Sequence, residues 1–231
     1  MISNITDSNQ SITNEIVPET NEEIYTFIHI TKNGGSGVEK YFEDHYIDRI
    51  IGTTHKWVCT KDNNPIVIIR EPTERFISLF HYWKYGSHGR NSRNQEFNDK
   101  YGNYTISDFI RKMKECDYSI KNNYMHELSV GYTWRVHFFP QTFWIAPEFF
   151  ENSIIITYVD DLNEKIHKLL AHLDIHDKGI ELKKDNVSRK RDDEIVVLSE
   201  DDKNWLKIYF KGDYDLWDAA HNTPEKFRHV I

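Results

Sequence analysis

The stretch that decides the fold is Phe27-Ile-His-Ile-Thr-Lys-Asn-Gly-Gly-Ser-Gly-Val38. A β-rich run, Ile24 to Ile30, leads into a Gly-rich turn over Thr31 to Gly37. Val38, Tyr41, Phe42 and His45 then recur at helical spacing. A strand, a tight turn and a helix in that order aim several backbone N–H groups at one spot beside a helix N-terminus. Gly34 and Gly35 lack Cβ, which permits unusual φ and close approach by a phosphate. Lys32 adds a full charge and Ser36 a hydroxyl. The segment reads as a phosphate cradle, with an ordinary strand-to-helix turn as the alternative. It is not a Walker loop, which needs its lysine after the glycines, and it has no G-x-G-x-x-G dinucleotide fingerprint.

A second stretch, Pro65-Ile-Val-Ile-Ile-Arg-Glu-Pro-Thr-Glu-Arg-Phe-Ile-Ser78, follows the same logic. Pro65 to Ile69 suits a strand buried on both faces. Arg70 ends it, at the carboxyl edge where open α/β sheets hold ligands. Pro72 fits the first turn of a helix whose apolar stripe is Phe76, Leu79, Phe80 and Trp83. An arginine fork with the hydroxyl of Ser78 suits a phosphate. The alternative is a structural ion pair, Arg70 with Glu71 or Arg75 with Glu39.

Further along, Ile106 to Met113 reads as a helix, Ile154 to Tyr158 as a short strand and Leu162 to Leu173 as a helix. A short strand is expected around Lys56 to Cys59. Residues 86–103 and 176–194 read as loops. Ser199, with Asp202 three residues on, reads as the N-cap of a helix through Trp205 and Tyr209. Alternating strands and helices predict an α/β fold of three layers around a central parallel sheet. Residues 1–22 are polar and read as a flexible lead-in, with one domain over 23–231.

The chain has 231 residues, with 29 Lys plus Arg against 37 Asp plus Glu, a net charge of −8. A hydrophobic fraction of 39% supports a real core. The acidic balance argues against a nucleic-acid partner. It does not exclude a polyanionic ligand, since the field of one pocket can differ in sign from the whole-chain sum. The N-terminus has no signal-peptide pattern and no apolar run of about 18 residues occurs, so the expectation is a cytoplasmic chain without a membrane span. Two cysteines, Cys59 and Cys116, do not make a disulfide framework. No His, Cys or carboxylate cluster has metal-ligand spacing.

Taken together, the two phosphate motifs resemble those of the sulfotransferases that use 3′-phosphoadenosine 5′-phosphosulfate (PAPS). The closer resemblance is to the carbohydrate branch that includes heparan sulfate 2-O-sulfotransferase-like enzymes. Thr31-Lys-Asn-Gly-Gly-Ser-Gly37 looks like that family's Pro-Lys-Thr-x-x-Thr-Ser loop for the 5′-phosphosulfate, with Thr31, Asn33 and Gly37 as departures. Arg70 to Ser78 fits its Arg-x-Pro-x-x-Arg-x-x-Ser segment for the 3′-phosphate. The resemblance implies a P-loop-like sulfotransferase fold and transfer of a sulfuryl group from PAPS to a hydroxyl, most readily of a carbohydrate, releasing 3′-phosphoadenosine 5′-phosphate (PAP). It implies that Lys32, Asn33, Gly34, Gly35, Ser36 and Gly37 bind the 5′ end and Arg70 and Ser78 the 3′-phosphate. Ser188, Arg189 and Lys190 fall where the family has a basic loop over the cofactor. His55 is the candidate base, since its placement resembles a histidine of the 2-O branch and an imidazole titrates near neutral pH. His137, in His-Phe-Phe-Pro-Gln141, is the second candidate and otherwise shapes the acceptor pocket with Trp83 and Arg90. Two rival readings are a P-loop-type kinase of a small molecule and a PAP- or PAPS-binding protein without turnover.

Overall fold

The computed structural model describes residues 23–52, 64–86, 95–115, 134–145, 147–158, 161–183 and 196–231. Among these lies a five-stranded parallel sheet of β1 (Tyr25–Ile28), β2 (Ile50–Gly52), β3 (Asn64–Ile69), β4 (Ile154–Thr157) and β5 (His229–Val230). The strand order is β2-β1-β3-β4-β5. The chain therefore steps outward from β1 to β2, then crosses back to the other side of β1 to begin β3. The edge between β1 and β3 is where the direction of winding reverses, and open α/β sheets bind ligands outside the carboxyl ends of the strands at such a point.

Strand alternation explains the layers. Tyr25, Phe27, Ile66, Ile68, Ile154 and Ile156 point to one face, where α1 (Gly35–His45) and α6 (Asn163–His172) cover them with Val38, Phe42, Ile166 and Leu169. Ile28, Val67, Ile69 and Ile155 point to the other, against Val136, Phe139, Trp144 and Leu216. A third cluster is almost wholly helical. It joins α2 (Pro72–Tyr85), α3 (Gln95–Tyr101), α4 (Ile106–Glu115), α5 (Trp134–His137) and α7 (Glu200–Tyr209) through rings such as Phe76, Phe97, Phe109 and Trp134. α8 (Lys211–Asn222) follows α7 after a break at Phe210. No described helix is long and apolar enough to cross a membrane.

The layered α/β reading holds, and Ser199 and Asp202 form the reciprocal capping box expected of them. Two differences stand out. The 86–103 stretch was expected as loop, yet α3 lies within it. Phe97 and Tyr101, one turn apart, bury their rings against Trp134 at 5.3 Å each, and that packing outweighs a polar local sequence. β2 and β5 have no sequence signature, because two or three residues are too few to show a period. The strand expected at Lys56 to Cys59 lies outside the described residues.

Candidate functional site

The turn after β1 is built on two left-handed residues, Lys32 (φ 62°) and Gly34 (φ 80°). Lys32 is not a glycine, so its conformation carries a cost of about 1–3 kcal/mol that neighbouring contacts must offset. The root of the loop supplies them. Arg75 is 1% exposed, and its guanidinium donates to Thr31 O (3.0 Å), Thr31 Oγ1 (3.1 Å), Phe139 O (2.9 Å) and His137 O (3.0 Å). Burial pushes Arg75 down to about 10, against the pull of the nearby Asp213 carboxylate, so it remains charged at neutral pH. It is a brace for the loop. The Arg75–Glu39 ion pair considered from the sequence does not form. Glu39 instead pairs with His29, Oε2 to Nδ1 at 2.7 Å, in the core beneath the loop.

The glycines have reasons beyond phosphate access. A Cβ at Gly35 would lie 2.1 Å from His29 Cδ2, one at Gly34 2.7 Å from Leu162 Cδ1, and one at Gly37 3.0 Å from Lys183 O. The protein's own neighbours already fill those spaces. Asn33, expected to face the ligand, turns its side chain inward: Nδ2 donates to Ile68 O (2.7 Å) and Gln141 Oε1 (2.6 Å). Only its backbone is left on the loop. Ser36 is half-buried in the first turn of α1. That turn has no acidic residue and no side-chain cap from Gly34, so its N–H groups present a positive end.

Arg70 leaves β3 beside this loop. Its Nη1 donates to Lys32 O at 3.4 Å, and its guanidinium lies over the Tyr158 ring at 4.4 Å. Its Nε is buried with no hydrogen-bond partner among the described residues, since Glu74 Oε2 is 3.6 Å away. A guanidinium N–H at a sheet switch point, with only a long ion pair to an exposed carboxylate, suits a closer anionic oxygen. Burial and the adjacent Arg70 charge push the Lys32 ammonium down to about 8. The backbone of Arg70 is held by Gln141, whose Nε2 donates to Arg70 O and whose Oε1 accepts from Arg70 N. Gln141 is itself held by the buried Asp213 carboxylate, which accepts from Gln141 N at 2.6 Å. Burial pushes that carboxyl up, while Arg75 and the Gln141 and Thr142 donors favour its charged form.

Helix α2 completes the wall. Glu74, Ser78 and Tyr82 are successive turns of one face. Glu74 approaches Arg70 and the Tyr82 ring lies 4.7 Å from Lys32 Nζ, and half-buried Ser78 lies one turn from each on that helix face. His137 stacks on Tyr82 with ring planes 6° apart. Trp83, expected both in the apolar stripe of this helix and at the acceptor pocket, is 5% exposed and packs edge-on to His137 within the helical cluster. It shapes the wall behind His137. His55, Arg90, Ser188, Arg189 and Lys190 lie outside the described residues.

The sequence reading thus brought Lys32, Arg70, Ser78 and His137 to one edge. It missed Gln141, Tyr82, Tyr158 and the bracing role of Arg75. The Arg-x-Pro-x-x-Arg spacing and the His137 to Gln141 segment were the available signals.

Neither the curated proteins nor the solved structures gave a match. A family model described as "Sulfotransferase family" matches residues 18–218, most of the chain. With its phosphate-type loop and arginine at the switch point of a parallel sheet, the chain belongs to the sulfotransferase family.

Proposed function

We propose that the protein transfers the sulfuryl group of PAPS to a hydroxyl, that of a carbohydrate. The observation that carries this reading is the adjacency of Lys32 and Arg70 at the β1/β3 edge, where, among the described residues, Arg70 Nε makes no hydrogen bond and faces only the exposed Glu74 carboxylate at 3.6 Å. PAPS carries its 5′-phosphosulfate and its 3′-phosphate on one ribose, and such a ligand needs two cationic groups close together, as Lys32 and Arg70 are. The backbone over Gly34 to Gly37 and the Lys32 ammonium would hold the 5′-phosphosulfate. Arg70 and Ser78 would hold the 3′-phosphate. Ser188, Arg189 and Lys190 would close over it.

In the reaction, the acceptor O–H loses its proton to the His55 imidazole as its oxygen bonds to sulfur. The bond from sulfur to the bridging oxygen breaks, and its electron pair stays on the departing 5′-phosphate. Lys32 offers that oxygen a positive hydrogen-bond donor. A positioned base of this kind contributes about 10²- to 10⁴-fold. β2 runs parallel to β1 and ends at Gly52, three residues before His55, so the chain leaves the sheet on the loop's edge. That direction supports His55 as base. His137, behind Tyr82, is then a wall of the acceptor pocket, with Trp83 behind it and Arg90 as a basic neighbour.

The test is transfer of radiolabelled sulfate from PAPS to a panel of mono- and oligosaccharides, with His55→Ala and His137→Ala beside the wild type. Turnover on sugars that His55→Ala lowers at least 100-fold supports the reading. Turnover unaffected by His55→Ala removes the base assignment. No transfer to any hydroxyl removes the activity.

A further inference from the structure

Lys32 occupies an unusual position: a left-handed lysine whose ammonium lies 4.7 Å from the centre of the Tyr82 ring. We propose that Tyr82 is a positioning residue for Lys32, holding the ammonium on its ring face, with His137 fixing that ring from its side. This rests on the proposed role of Lys32 at the leaving oxygen and adds a residue to it.

A ring face attracts a cation, and more strongly where water is excluded. Tyr82 is half-buried and stacks on His137, with centroids 6.4 Å apart and planes 6° apart. The His137 ring is in turn met edge-on by Trp83 at 5.0 Å. The His137 carbonyl accepts from Arg75 Nη2 and Thr31 Oγ1, the residue before Lys32. One brace therefore sets the backbone of the lysine and the backbone of the histidine that backs its aromatic partner. A flexible four-carbon side chain gains a fixed direction from this, which transfer to one oxygen requires.

The charged and titratable groups around Lys32 include Arg70 from the end of β3, Tyr82 and, through Arg70, Glu74 from α2, and His137 from α5. Arg70 disfavours the ammonium, as does burial. The ring face of Tyr82 favours it. Tyr82→Leu keeps the apolar wall and removes the attractive face, so the lysine should lose its proton at lower pH. Tyr82→Phe keeps the face and should rescue it.

The experiment measures the pH dependence of acetylation of Lys32 by acetic anhydride in the free protein, read by mass spectrometry with exposed Lys40 as internal control. It is paired with kcat and KM for sulfate transfer. For Tyr82→Leu we expect a Lys32 midpoint lower by about half a pH unit or more, with kcat down roughly tenfold and PAPS KM changed far less. Tyr82→Phe should recover most of both. A Tyr82→Leu midpoint equal to wild type overturns the proposal, as does a Phe variant that fails as badly as Leu while melting like the wild type. The expected midpoints without any transfer in the wild type uphold the ring-to-lysine contact and overturn the sulfotransfer reading instead.

Discussion

The side-chain amide of Gln141 pairs with the main chain of Arg70 on both sides, Nε2 to the carbonyl at 2.8 Å and Oε1 from the N–H at 2.9 Å. This caps the end of β3 as another strand would and directs the arginine into the site. The same Oε1 accepts from Asn33, so one amide joins the Gly-rich loop to the arginine edge. Gln141→Leu leaves these buried groups unpaired. Urea denaturation should show a loss of about 2–4 kcal/mol, and PAP affinity should fall with it.

Arg70 and Arg75, five residues apart in one motif, should respond in opposite ways. Arg75→Met strips the donors from Thr31, His137 and Phe139 and should cost about 3–5 kcal/mol in a denaturant titration. Arg70→Ala removes a partly exposed cation crowded by Lys32, so stability should change by about 1 kcal/mol or less. Its effect should appear in ligand binding.

The His29–Glu39 pair locks a ring against Gly35. Gly35→Ala should therefore destabilise by about 1–3 kcal/mol, because a ring pinned at 2.7 Å has little room to retreat. In a double-mutant cycle, His29→Ala should remove part of the Gly35→Ala penalty. Simple addition of the two costs would refute the steric account.

The alkaline limb of activity should report Lys32. Burial and Arg70 lower its pKa from the ordinary lysine value to about 8. The ammonium is present below that value and is lost as pH rises through it. kcat/KM, which reports the free enzyme, should fall with a midpoint near that pH. A limb near the ordinary lysine range would mean that Lys32 is not the group titrating.

The local parts of this fold are legible in the sequence. The strand into a Gly-rich turn, the Arg70 strand end, Pro72 at the start of α2 and the Ser199 capping box all act within a few residues. What was not legible acts across the chain. Gln141 and Arg70 are 71 positions apart, and Asp213 and Gln141 72. Asn33 looks like a loop ligand locally, and only the fold shows its amide turned onto Ile68 and Gln141. Trp83 is legible as part of the apolar stripe of α2, but the partners that bury it, Phe97 of α3 and His137 of α5, are not. The glycines of the turn could be read for permissive geometry, but not for the histidine, leucine and carbonyl that demand it.

The central claim is that the β1/β3 edge binds a nucleotide with phosphates at both its 5′ and 3′ positions. The most direct measurement is a thermal-shift titration of PAP against ATP with Mg²⁺ and against NAD, on wild type and Arg70→Ala. The account predicts that PAP at a hundredfold excess over its Kd raises the melting temperature by roughly 5–10 °C, and that Arg70→Ala abolishes most of that rise. Stabilisation by ATP with Mg²⁺ but not by PAP, or a PAP effect unchanged in Arg70→Ala, would contradict it.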